Sequence, residues 1–215
     1  KKKGLIANKN VPKSEYKWSD TYKPSPSFVS IHLGVEKNII SKNFNCHHII
    51  VENWDELESE KGVIFISIPT LLDASLAPEG KHIIHAFTPS AISEWEGLSR
   101  KEYLQKKEKY FLFLIDKISN ILPNLKQNID HKEIGTPKTH KKFLGRYKGS
   151  YGPIPSKKLF GLLPMPFNTT KIKNLYCVGD SCFPGQGLNA VAFSGYACAH
   201  KIGAKLNINS FNLPK

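Results

Sequence analysis

The chain has 215 residues, 40% of them hydrophobic and 23% charged, and carries a net charge of +13. This is globular composition, enough for one or two domains with a core, and it contains no run of about 18 apolar residues that would make a bilayer-spanning helix. The lysines are scattered in short pairs without interleaved aromatic platforms, so solvated faces come first as their role, attraction to an anionic membrane surface second, and a nucleic-acid partner is not expected.

Residues 1–27 are polar, lysine-rich and broken by Pro12, Pro24 and Pro26, and read as an exposed connection. Because the sequence starts at Lys1 and its only methionine is Met165, it is expected to be a C-terminal fragment, or one piece, of a longer protein. Residues 27–35 alternate polar with apolar, which predicts a half-buried strand. Residues 47–51 predict a second strand, and the nearly continuous apolar run 63–68 a central one covered on both faces. Ala77-Pro78-Glu79-Gly80 reads as a type I turn with Pro second and Gly fourth. Residues 82–87 then predict a strand antiparallel to the preceding one.

Ser99 and Glu102 form a capping-box signature. Apolar positions from Tyr103 to Leu122 follow at spacings of three and four, which predicts one long helix stopped by Pro123. Residues 129–135 predict a short strand, 136–144 a helical turn, and 145–166 a shaped loop rich in Gly and Pro.

Residues 174–204, NLYCVGDSCFPGQGLNAVAFSGYACAHKIGA, carry the most chemistry. They predict a short strand over 175–179, a tight turn holding Asp180, and a helix that begins at Leu188. Gly179 permits close approach of another group, and Pro184, Gly185, Gln186 and Gly187 turn the chain. Glycines there expose peptide N–H groups to a flat ring or a phosphate. A carboxylate such as Asp180 accepts hydrogen bonds from sugar or ribityl hydroxyls. The start of the helix favours an electron-rich partner. Ala190, Ser194, Ala197 and Cys198 form a small-residue side. On pattern alone an ordinary strand–turn–helix corner, with Asp180 as a cap, fits equally well.

Six histidines, at 32, 47, 48, 82, 85 and 140, raise the question of a metal. Neighbours His47 and His48 on one strand point to opposite faces, so no metal site is expected. Cys46, Cys177, Cys182 and Cys198 lack CxxC or zinc spacing and read as free thiols of a reducing compartment. Arg146 and Tyr151 are candidates to face a ligand, and contacts within their own loop fit them equally well.

The stretch CVGDSCFPGQGLNAVAFSGYACAHKI resembles the C-terminal flavin-binding signature of the plant and cyanobacterial carotenoid isomerases of the prolycopene isomerase type, which are similar to the phytoene-desaturase group of FAD proteins. PSFVSIHLGV, HHIIVENWD, ISIPTLLDASLAPEGKHIIHAFTP, WEGLSRKEYLQKKE, IGTPKTHKKFLGRYKGSYGP and LLPMPFNTT resemble that family in the same order. The resemblance implies a mixed α/β fold, the C-terminal part of a two-domain FAD-dependent oxidoreductase. Residues 24–165 would be the substrate-domain sheet with its helices, and 166–206 the returning strand–turn–helix of the FAD domain. Residues 1–23 would be a connection and 207–215 a tail. The family's N-terminal dinucleotide fold is not in this sequence, which has no GxGxxG.

Gly179 and Asp180 would then meet the ribityl–phosphate part of FAD. Pro184, Gly185, Gln186, Gly187, Leu188 and Asn189 would lie at the isoalloxazine ring. The apolar face of the strands between Phe28 and Phe87 would line a tunnel for a long polyene. The activity implied is conversion of poly-cis lycopene to the all-trans form with reduced FAD and an NAD(P)-linked source of electrons, in a plastid and peripheral to its membrane. The resemblance assigns no catalytic residue. A related carotenoid or retinoid desaturase or saturase is the nearest alternative. An inactive fragment, or a basic lipid-surface binding module, is the alternative from another class.

Overall fold

The computed structural model describes residues 11–14, 23–57, 59–154 and 165–208. Most of the expected N-terminal connection, residues 155–164 of the expected loop and residues 209–215 of the tail lie outside the described residues. The chain divides into two units, Pro26–Gly149 and the described residues of Lys1–Ser25 with Ser150–Lys215.

In the first unit there are five strands, β1 (Ser27–Glu36), β2 (His47–Val51), β3 (Val63–Ser67), β4 (Lys81–Ser90) and β5 (Ile129–Gly135), with alternating burial clearest in β1 and β4. They form one antiparallel sheet in the order β2-β3-β4-β1-β5. The odd-numbered side chains of β1, from Val29 to Val35, are wholly buried or nearly so, as are Ile64, Ile66, Ile84 and Ala86. Register places them together: Ile31 stands opposite Ala86, and Ile66 opposite Ala86 on the other side.

The helix α1 (Arg100–Ser119) covers that face with Phe111, Leu114, Ile115 and Ile118. Its capping box forms as the sequence predicts: Ser99 N–H donates to Glu102 Oε2 at 2.8 Å, and Glu102 N–H to Ser99 Oγ at 3.3 Å. The regular helix ends before Leu122. Ile121 and Leu122 N–H both donate to the Ile118 carbonyl, at 3.0 and 2.9 Å, so the chain tightens while Leu122 stays buried.

A second buried group ties the helix to the end of the central strand, β4. Trp95 Nε1 donates to Ser90 Oγ at 2.8 Å, Ser90 Oγ shares a hydrogen bond of 2.8 Å with Tyr110 OH, and Tyr110 OH donates to Glu60. Burial, first, and the Glu60 carboxylate push the Tyr110 hydroxyl well above the usual tyrosine range.

Three expectations change in this unit. β3 is second from the sheet edge, and Phe65 remains 37% exposed, because the packed layer lies on the α1 side. The turn before β4 is shifted by one residue: Lys81 N–H donates to Pro78 O at 3.1 Å, which makes Pro78 first and Gly80 third, at φ +79°. A glycine is needed at that third position because L-residues avoid positive φ. Residues 136–144 form more than a turn. Pro137 opens α2 (Pro137–Leu144) at its first position, Thr136 and Thr139 form a reciprocal cap, and Gly145 closes it in the left-handed region.

In the second unit α3 (Leu188–Lys205) is the regular element, with Ser194, Cys198 and Gly203 buried. The expected strand over 175–179 is reduced to one bridge, Tyr176 with Thr169. Its partner segment is bent by Pro166 and by a turn at Thr170, so pairing cannot extend beyond the bridge and the Cys177 N–H to Asn168 O bond of 2.8 Å.

Candidate functional site

The corner from Leu175 to Asn189 is held by side chain to backbone bonds rather than by a strand ladder. Asn168, only 9% exposed, donates through Nδ2 to Cys177 O at 2.9 Å, to Ser194 O at 3.2 Å and to Ser194 Oγ at 3.1 Å. Gly179 N–H donates to the same Ser194 hydroxyl at 3.2 Å. One buried amide and one buried hydroxyl therefore fasten the chain before the turn to the helix after it.

Gly179 takes φ +105°, and Asp180 follows it half-buried, with Ser181 Oγ donating to Asp180 Oδ1 at 3.2 Å. Gly152 passes close behind: a Cβ there would sit 3.0 Å from Asp180 O. The Phe183–Pro184 peptide is cis, and Gly185 and Gly187 take φ +126° and +99°. Gly185 is buried beside Met165, whereas Pro184, Gln186, Gly187, Leu188 and Asn189 are exposed, Leu188 by 86%. The Gln186 side chain is turned back to donate to Tyr151 O, so its amide group faces the neighbouring loop. Gly187 carries no side-chain cap for α3, and the first-turn N–H groups of Leu188, Asn189 and Ala190 lie at an exposed helix start.

Val178, Leu188, Phe193 and Tyr196 are each at least half exposed. The small residues anticipated on one side of α3 divide in two: Ser194 and Cys198 are buried, and Ala190 and Ala197 half-buried. All four cysteines are free thiols. Among the described residues no group of three or more His, Cys, Asp or Glu side chains stands in metal-binding range, and no helix is long and apolar enough to cross a membrane.

The sheet of the other unit offers a second surface, on the side away from α1. Two rows cross it in register. Ile49, Phe65, Phe87, Ser30 and Gly135 make one, and His47, Ser67, His85, His32 and Glu133 the next. Phe65 stacks on Phe87 at 4.9 Å and Phe28 lies 5.1 Å from Phe87. His85 stacks on His32 at 4.5 Å, and His47 Nδ1 bonds Ser67 Oγ at 2.9 Å. Burial, and then the neighbouring His32, hold the His85 imidazole below its ordinary value. The rows were invisible in the linear sequence, since they depend on pairing between strands far apart in the chain. Asn168 was also missed, its only signal being its place in the LLPMPFNTT stretch.

The fold matches part of a larger chain: it aligns with an oxidoreductase from Methanosarcina mazei at TM-score 0.58 and 13% identity, over 92% of this chain and 40% of that one. No family model matches. Among curated proteins, the chain is 53% identical over 206 residues to the chloroplastic prolycopene isomerase 1 of an Oncidium hybrid cultivar, and 50% identical over 206 residues to the chloroplastic prolycopene isomerase of Arabidopsis thaliana. Both matches cover 95% of this chain, which spans about a third of each relative's length (35%). The chain is similar to prolycopene isomerases over nearly its whole length, and corresponds to the C-terminal part of those proteins.

Proposed function

We propose that this chain is the C-terminal part of a flavin-dependent carotenoid cis–trans isomerase that converts poly-cis lycopene to all-trans lycopene. The observation that carries the proposal is the identity of 50–53% to prolycopene isomerases over 95% of the chain.

The corner has the chemistry to hold part of an FAD. Gly187, at positive φ, is exposed, an uncapped helix start adds its positive end, and Asp180 is nearby in sequence as an acceptor. In this proposal Gly179 and Asp180 take the ribityl–phosphate part. The turn of Pro184, Gly185, Gln186 and Gly187, exposed except at Gly185, takes the ring edge with Leu188 and Asn189, Gln186 through its backbone. The half-exposed apolar side chains of α3 are covered by the remainder of the longer polypeptide. Bound in its reduced form, the flavin would supply electron density that lowers double-bond order in the polyene, so that rotation follows with no net redox change.

The aromatic row on the open sheet face supports the substrate class. A hydrocarbon polyene offers no groups for directional hydrogen bonds, so its recognition rests on shape and apolar burial, about 0.8 kcal/mol per buried CH₂. Phe28, Phe65, Phe87 and Ile49 provide such a surface. The chloroplastic relatives support a plastid location, and a substrate dissolved in lipid places the enzyme at the membrane surface.

The test is expression of the longer coding sequence in cells that accumulate poly-cis lycopene, with pigments separated by chromatography. Accumulation of all-trans lycopene is expected. Desaturated or saturated products in its place would assign the chain to a related redox enzyme.

A further inference from the structure

The end of α2 and the residues just beyond it expose apolar and basic side chains together. Phe143 is 72% exposed, Leu144 55% and Tyr147 61%. Three large apolar groups within five residues are unusual on a solvated surface. They are not spare core: α2 already buries Pro137 and His140, and His140 Nε2 donates to Phe28 O at 3.2 Å while its ring packs 4.5 Å from Phe28. The helix is thereby fixed on β1, and its last turn projects.

Lys138, Lys141 and Lys142 are exposed on the same short helix, and no acid pairs with any of them among the described residues. Lys142 Nζ lies 4.9 Å from the Phe143 ring centre, so charge and aromatic surface are in direct contact. The nearest ion pair beyond the helix, Lys148 with Glu96 at 2.9 Å, is already satisfied.

We infer that this end of α2 is a docking surface for an anionic lipid bilayer. Phe143, Leu144 and Tyr147 enter the boundary between headgroups and acyl chains, and Lys138, Lys141 and Lys142 meet the anionic headgroups above them. Apolar burial plus attraction to anionic lipid is the physical basis of interfacial binding. A hydrated nucleic acid would use the lysines but leave Leu144 and Phe143 without a partner, and a neutral apolar protein groove would leave the lysines unpaired. Charge complementarity and apolar exposure are satisfied together by the lipid interface. The inference rests on the proposed function only for the expectation of a lipid-borne substrate, and it is read without pigment or flavin.

The test is flotation of the longer polypeptide with vesicles of phosphatidylcholine alone and of phosphatidylcholine with phosphatidylglycerol. Binding is expected to the anionic vesicles and to fall on the order of tenfold or more in a Lys138→Gln/Lys141→Gln/Lys142→Gln variant. A Phe143→Ser/Leu144→Ser variant should lose binding to a similar degree with its charge intact. A control, Lys37→Gln/Lys42→Gln/Lys109→Gln, removes the same charge elsewhere and should bind nearly as wild type. Far-UV circular dichroism checks that each variant is folded. Equal loss in patch and control variants would reduce the effect to net charge and overturn the assignment. A dimer in sedimentation velocity that Phe143→Ser/Leu144→Ser abolishes, with no vesicle binding, would assign the surface to a second copy of the chain instead. If vesicles bind as expected while the longer protein leaves poly-cis lycopene unchanged, the docking surface stands and the catalytic proposal fails.

Discussion

Asn168 and Ser194 are fastened to each other twice, through the Asn168 amide to both the carbonyl and the hydroxyl of Ser194, at 3.2 and 3.1 Å. Ser194 is wholly buried and its hydroxyl also accepts from Gly179 N–H. The pair therefore sets the position of the turn glycines relative to the start of α3. Asn168→Ala leaves buried acceptors at Cys177 and Ser194 without their donor, and Ser194→Ala leaves the Gly179 N–H without its acceptor. Each is expected to cost about 1–3 kcal/mol. Denaturant unfolding of the two single variants and the double variant should give a coupling of at least about 0.5 kcal/mol, as for any pair sharing a bond.

The stacked imidazoles on the open sheet face predict a pH dependence. Burial and the adjacent His32 lower the His85 value below the ordinary 6.5. A histidine depressed in the folded state binds its proton more readily when unfolded. Its contribution to stability is present above pH 6.5 and is lost as pH falls through the folded value. His140, lowered chiefly by burial, acts in the same direction. Thermal midpoints are expected to drop between about pH 7.5 and 5, and His85→Gln should flatten part of that slope.

Much of the sheet was legible because its signals are local. Alternation in residues 27–35 and the Ser99–Glu102 box require only near neighbours to interpret. What failed depended on distant partners. Residues 175–179 have strand-like composition, but the segment beside them is bent at Pro166 and Thr170, so a ladder has nothing to pair with. The turn before β4 was displaced by one residue because Gly80, rather than Pro78, decides which position can take positive φ. At the candidate site, the glycines and the helix start were legible, whereas Asn168 was not. An asparagine in a polar run carries no mark of burial.

Two glycines separate conformational strain from crowding. Gly80 has φ +79° with open space around a built Cβ, while at Gly149, φ +86°, a Cβ would lie 2.1 Å from Pro137 O. Gly80→Ala should cost about 1–2 kcal/mol, the penalty of a left-handed residue. Gly149→Ala should cost about 3 kcal/mol or more, since it must also push α2 from its seat. The order of the two losses is read from denaturant midpoints.

Asp180 is proposed to hold the ribityl–phosphate part of the cofactor. In the longer polypeptide, Asp180→Ala should lower the ratio of bound flavin to protein after gel filtration while leaving the fold intact. Asp180→Asn, which keeps an acceptor oxygen, should lose less. Unchanged flavin content in both would reduce Asp180 to a turn residue bonded to Ser181.

The most direct measurement follows conversion by the purified longer polypeptide. Poly-cis lycopene is supplied in vesicles without oxygen, with the flavin oxidised in one sample and chemically reduced in the other, and the isomers are separated by chromatography. The account predicts all-trans lycopene in the reduced sample and little in the oxidised one. Equal conversion in both, or none by a folded protein with its flavin bound and reduced, would contradict it.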